Sequence, residues 1–293
     1  MSKYLLSLFF TLASSLALAE ISVTDDAGAV VRLSQPARRI VTLAPHLAET
    51  VFAAGAGDRL VGTVDYSDYP EAARKVPRVG GFSRLDLEII AALKPDLIIV
   101  WHSGNAPSDI DKLRAFGFPI YESQPDRLED IADEIERLGQ LAGSSEVADA
   151  AARQFRAHFA DLQKQYGEKP VVRMFYQIWK QPLSTISGKQ IISSVIRLCG
   201  GENVFGRLEA IAPVISVEEV IAANPEAIIA SGMDEARPEW LDDWKRWPAM
   251  TAVARGNLFF VSPDLLQRHT PRLLDGAEQL CRQLEIARSR RAK

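Results

Sequence analysis

The chain has little of what a resident metal centre or a covalent catalyst needs. It holds two cysteines and four histidines in 293 residues. Neither cysteine has a histidine or a second cysteine at metal-ligand spacing. There is no Gly-x-Ser-x-Gly, no His-Glu-x-x-His, no glycine-rich phosphate loop and no cysteine-nucleophile signature, so catalysis has little support. Excess positive charge is also missing. The net charge is −4 with no basic stripe, which argues against nucleic acid as a partner. Past the N-terminus, no apolar run is long enough to span a bilayer.

The rest of the composition is that of a folded chain, 47% hydrophobic and 25% charged. Its length suits one large domain or two lobes of roughly 110–130 residues, each able to bury a core. Residues 1–19 read separately. Lys3 precedes a mostly apolar stretch from Tyr4 to Leu18, and Ala17-Leu18-Ala19 is a small-x-small site before Glu20. This is the pattern of a cleaved secretory signal peptide. Export places Cys199 and Cys281 where disulfides are permitted, and a bond between them is expected. Two buried free thiols are the alternative.

Alternating apolar residues in ISVTDDAGAVVRL (21–33) predict a β-hairpin. Strands are expected at 40–45, 59–66, 96–101 and 119–123, with helices at 47–55, 87–93 and 110–116. The order then repeats. Strands are expected at 171–179, 226–231 and 257–263, and helices at 190–201, 218–223 and 272–287, with a helical stretch around Trp240, Trp244 and Trp247. Strands alternating with short helices mean parallel α/β layers. Between the halves lie a helix at 128–143 and a longer one from Ser144 to about Tyr166. Val147, Ala151, Phe155, Phe159, Leu162 and Tyr166 form its apolar stripe. At about 22 residues it would run roughly 33 Å, enough to bridge two lobes. The predicted division is therefore a signal peptide (1–19), an N-terminal lobe (20–125), connecting helices (126–169) and a C-terminal lobe (170–293).

One phrase occurs in both halves: LDLEIIAALKPDLIIV (85–100) and ISVEEVIAANPEAIIA (215–230). Each has a Glu early in a helix, where a carboxylate suits the helix dipole. A Pro follows in the turn, then an Ile pair in the next strand. Glu88 and Glu218 thus occupy equivalent positions on two similar lobes. In open parallel sheets ligands bind at the carboxyl ends of strands. Standing there are Pro45 and His46, Tyr66 and Tyr69, Phe82, Trp101 and His102 in the first half. The second half offers Trp179, Ser231, Gly232 and Met233, then Asp264 and Arg268. Aromatics at loop starts point to a broad, flat ligand. His46 and His102 could meet there, but two imidazoles do not identify a metal site.

RIVTLAPHLAETVFAAG, DYSDYP, LEIIAALKPDLIIVW and CGGENVF together resemble periplasmic substrate-binding proteins of ABC importers. They match the subgroup with one long connecting helix, and within it the cobalamin-binding type. The likeness covers about residues 38–285. It implies an α/β fold of two lobes with mostly parallel sheets, joined by the long helix, and a ligand cleft between them. It implies no enzymatic reaction and no catalytic cofactor. The ligand would be a corrinoid, delivered by a free monomer in the periplasm to an inner-membrane permease and its ATPase. Tyr66, Trp101 and Asp264 match ligand-contacting positions, Arg268 lies beside them, and the Pro45-His46 turn matches a ligand loop. Glu88 and Glu218 match the acidic residues that dock each lobe on the permease. Cys199 and Cys281 match paired cysteines. Phe82, Ile178 and Ala212 stand where the cobalamin type carries tryptophans or another aromatic, with Trp179 beside Ile178. That leaves haem or a ferric siderophore as alternative cargo; haem would want an axial Tyr or His. An exported α/β enzyme is the reading from another class.

Overall fold

The computed structural model describes residues 20–232 and 236–291. The expected signal peptide and Met233 lie outside them. The predicted hairpin is present: β1 (Ile21–Thr24) pairs antiparallel with β2 (Val30–Leu33). Asp25 closes it, its carboxylate accepting from the N–H groups of Ala27 and Ala29 at 3.1 and 2.8 Å.

The first sheet follows. In chain order come β3 (Ile40–Thr42), α1 (Pro45–Ala53), β4 (Leu60–Gly62), the short strands β5 (Gly80–Gly81) and β6 (Arg84–Leu85), α2 (Leu87–Ala92), β7 (Leu97–Trp101), α3 (Pro107–Ala115) and β8 (Ile120–Ser123). The sheet order is β4-β3-β7-β8, all parallel. Three expectations shift. Pro45 and His46 are not a free turn but the start of α1, where proline's fixed φ suits the first helical position. The strand expected over 59–66 ends at Gly62. The helix expected from Ile110 starts at Pro107, for the same reason as α1.

Helices α4 (Leu128–Ala142) and α5 (Ser145–Tyr166) follow. Gly139 lets them pack closely, because a Cβ there would lie 2.2 Å from that of Ala148. The buried stripe of α5 is Ala148, Ala152, Phe155, Leu162 and Tyr166. Val147 departs from the expectation and is 53% exposed. It sits one position off that stripe, roughly 100° around the helix.

The second sheet is built like the first. It contains β9 (Val172–Gln177), the hairpin β10 (Trp179–Lys180) and β11 (Leu183–Ser184), α6 (Ile191–Leu198), β12 (Gly201–Asn203), α7 (Val217–Ala223), β13 (Ala227–Ala230), α8 (Thr251–Ala254), β14 (Leu258–Phe260), α9 (Pro263–Leu266) and α10 (Leu273–Ser289). The parallel order is β12-β9-β13-β14. The strand expected over 171–179 stops at Gln177, and Trp179 belongs to the separate hairpin. The tryptophan-rich stretch is a 3-10 helix, Glu239–Arg246, which buries Leu241 and Trp244. Cys199 and Cys281 are bonded, tying the end of α6 to α10.

One buried apolar cluster continues through both lobes. It includes Leu47 and Val51 of α1, Ile135 and Leu138 of α4, Phe155 of α5, Val195 of α6 and Leu280 of α10. Separate clusters, around Val100 and Ile90 and around Ile228 and Val220, lie on the other faces of the two sheets. Among the described residues, no helix is long and apolar enough to cross a membrane.

Candidate functional site

The residues after β3, β4 and β7 are held together by buried polar groups. Asn105 is 3% exposed and bonds three ways: its amide donates to the carbonyls of Leu43 and Phe82, both at 2.8 Å, and its oxygen accepts from Trp101 N–H at 2.7 Å. Trp101 lies so close over Gly104 that a Cβ there would come within 1.8 Å of the indole. Beneath the DYSDYP loop, the Thr42 and Thr63 hydroxyls are 2.8 Å apart, and Thr63 donates to Ser67 at 2.8 Å. The Arg78 guanidinium donates to Ser67 O at 2.8 Å. Tyr66 is held at φ 63°, a left-handed conformation uncommon for a residue with a side chain, and is 76% exposed.

Rings form a chain from one lobe to the other. Phe82 lies 6.0 Å from Trp101, Trp101 stands edge-on to His46 at 5.2 Å, and His46 is 5.9 Å from His269. Burial, with the nearby His269 and Arg268, holds His46 well below the ordinary histidine pKa. Burial pushes His269 down to about 4. Both imidazoles are therefore neutral near pH 7. His102 does not meet His46. It turns outward, 2.5 Å from Glu122, because it follows Trp101 and points to the other side of the strand end. His269 takes the place expected for it.

Beside these rings is a hollow of about 240 Å³. Trp101, Ser103, Gln124 and Pro125 line it from the first lobe and Asp126 from the start of the connecting segment; Ile178, Ile186, Ile191, Ile192, Ile211, Gln267 and His269 line it from the second lobe. It is smaller than a pocket for a drug-sized molecule, so it fits one edge of a larger ligand. Trp179 does not line it; alternation along the chain turns Ile178 inward and leaves Trp179 39% exposed.

Two ion pairs join the lobes. Arg268 Nη2 is 2.8 Å from Asp264 Oδ1, and its Nη1 is 3.0 Å from Asp68 Oδ1 in the opposite lobe. Arg272 grips Glu49 of α1 with two bonds at 2.7 and 2.8 Å, and its guanidinium lies 3.6 Å from the Tyr69 ring centre. Glu49 is 3% exposed. Asp264 is the second residue of α9, where the Ser262 hydroxyl accepts its N–H at 3.3 Å. The sequence reading missed Asp68, Asn105, His269 and the Glu49–Arg272 pair. DYSDYP signals a special loop, but only tertiary contact shows which side chains reach across.

A family model described as periplasmic binding protein matches residues 40–265. The chain belongs to the periplasmic binding protein family. Vitamin B12-binding protein of Vibrio cholerae is 42% identical over 253 residues, covering 86% of this chain and 91% of that one. Vitamin B12-binding protein of Yersinia pestis is 38% identical over 251 residues, with 86% and 88% covered. Among solved structures, the periplasmic vitamin B12 binding protein of Vibrio cholerae superposes with a TM-score of 0.80 at 40% identity, covering 86% of this chain and 98% of that one. A periplasmic haem-binding protein from Roseiflexus shares the fold, with a TM-score of 0.73 at 22% identity. For this binding protein the match spans both sheets and the helices joining them. The Phe82-to-His269 ring chain and the Asp68–Arg268 bridge are built from loops that follow strands of the two sheets, the side on which open parallel sheets generally bind ligands.

Proposed function

We propose that this protein captures cobalamin or a related corrinoid in the periplasm and hands it to an ABC permease in the inner membrane, without catalysing a reaction. What carries this reading is identity near 40% along nearly the whole of a vitamin B12-binding protein, against 22% for the Roseiflexus haem binder of the same fold. The site suits that ligand. Tyr66, Phe82 and Trp101 offer aromatic surface for a broad ring. Arg268, Asp264 and Gln267 offer polar groups for its amide rim, and Pro45 and His46 underlie the Trp101 side. Trp179, exposed on its hairpin, is proposed as a further aromatic contact. The lobes are taken as residues 20–125 and 170–293, with 126–169 joining them. The long helix and the cross-lobe pairs favour a modest closing motion, so that release depends on the permease drawing the lobes apart.

Glu88 and Glu218 are the proposed contacts with the permease. Both are exposed, and both are second residues of helices in the duplicated unit. The protein is expected to act as a monomer until it docks. Isothermal titration with cyanocobalamin and hemin tests the ligand. Tight cyanocobalamin binding is expected, and hemin retention without cobalamin retention would reassign the cargo to haem. In the same samples Glu88→Arg and Glu218→Arg should leave affinity unchanged and abolish uptake. Wild-type uptake by both variants would end the docking proposal.

A further inference from the structure

We propose that Asp68 is a selectivity residue of the cleft: it keeps Arg268 neutralised across the lobes, so the site admits amide-rimmed macrocycles and turns away carboxylate-bearing ones. This rests on the ligand reading above. Corrins and porphyrins both present flat, apolar faces, which the ring chain from Phe82 to His269 can meet equally well. They differ at the rim. A natural corrinoid carries amides, whereas haem carries propionates.

The rim would meet Arg268, and Arg268 is not a free cation. Asp264 holds it at 2.8 Å from its own lobe and Asp68 at 3.0 Å from the other. One guanidinium between two carboxylates leaves a formal charge of −1. The neighbouring charges do not reverse this. Lys189, on the hollow, is 2.7 Å from Glu209. Asp126 adds a carboxylate to the hollow wall. Arg272 is matched by Glu49. Arg74 and Arg78 keep their charges but turn to the backbone carbonyls of Asp68 and Ser67, so the Asp68 carboxylate pairs with Arg268. His46 and His269 are neutral.

An incoming carboxylate at Arg268 would lie against Asp68, and like charges so placed are strongly disfavoured. An amide faces no such conflict: its oxygen accepts from Arg268 and its N–H donates to Asp68. Asp264 stays beside Arg268 whatever the lobes do, because both belong to the same turn of chain. Asp68 comes from the other lobe, so its charge acts on the ligand when the lobes are together.

The test uses dicyanocobinamide and dicyanocobyrinic acid, which share a ring but carry rim amides and free carboxylates respectively. Affinities are measured for the wild type, Asp68→Asn, Asp68→Ala and Asp68→Glu. The wild type should prefer the amide ligand. Asp68→Asn and Asp68→Ala should shrink that preference by about tenfold or more, and Asp68→Glu should keep it. Raising salt should weaken discrimination in the wild type itself, since Asp68 is partly exposed and screened; this arm needs no variant to fold. An unchanged ratio in the folded variants, or a wild type with no preference, overturns the inference while corrinoid binding keeps the functional reading. A wild type that binds neither corrinoid removes both.

Discussion

The two lobes share a scaffold and differ in what they present. Each repeat runs cap, helix, proline turn, strand. In the first, Asp86 caps α2 by accepting from Ile89 N–H at 3.0 Å. In the second, Ser216 caps α7 by accepting from Glu219 N–H at 3.2 Å, and the Glu219 carboxylate returns to Ser216 N–H at 2.7 Å. At the hollow, however, lobe one supplies Trp101, with Phe82 packed beside it, while lobe two supplies Ile178, Ile186 and Ile211. The interiors differ as well. Lobe two carries the disulfide, closing 82 residues of chain separation. Against lobe one the connecting helix α4 packs a fully buried carboxylate, Glu134, near Tyr121 and Arg137. A fold can be copied through its caps, turns and strand cores while the loops at strand ends diverge, because those loops contribute little to either core.

The largest test breaks the joint between the lobes. Glu49→Ala strands Arg272 in a mostly buried position and should destabilise the protein by about 3–5 kcal/mol. Global urea unfolding should show the loss, with the lobes unfolding less cooperatively. A loss under 1 kcal/mol would mean the pair is replaceable.

The next sharpens the contrast between interiors. Burial raises the Glu134 pKa to about 8, against about 4.5 when unfolded. The folded state therefore holds the proton more tightly. Stability is full below the unfolded value, falls as pH climbs from about 4.5 to 8, and is flat beyond. Glu134→Gln should remove that slope, with a gain of up to about 3 kcal/mol at pH 7. Denaturant titrations at pH 5, 7 and 9 read it directly, and parallel curves for both proteins would refute it.

The smallest effect compares the copied caps. Asp86→Ala and Ser216→Ala should each cost about 1 kcal/mol, seen as matching shifts of the urea midpoint. A loss at one site alone would show that the repeats are equivalent in form but not in energy.

Much of this was legible along the chain. The 21–33 alternation gives β1 and β2, the duplicated phrase gives α2–β7 and α7–β13, and the Cys199–Cys281 pair is bonded. Strand ends were less legible. Val64 to Tyr66 continue an apolar pattern, yet the Asp65 N–H turns aside to bond Gly80 O at 2.9 Å. At the site, Trp101 and Arg268 stood out as residue types in the right places. Asn105 did not, because a buried asparagine joining three loops looks like any loop asparagine until the loops are assembled.

Periodicity, glycine and proline punctuation and the repeated unit determined the alternating elements and the two-sheet plan, since these depend on contacts a few residues apart. The pairings of Asp68 with Arg268, Glu49 with Arg272 and His46 with His269 were decided only by the tertiary structure. Each joins residues about 200 or more positions apart. Nothing local distinguishes such partners, because the geometry that brings them together is set by packing both lobes against the connecting helices.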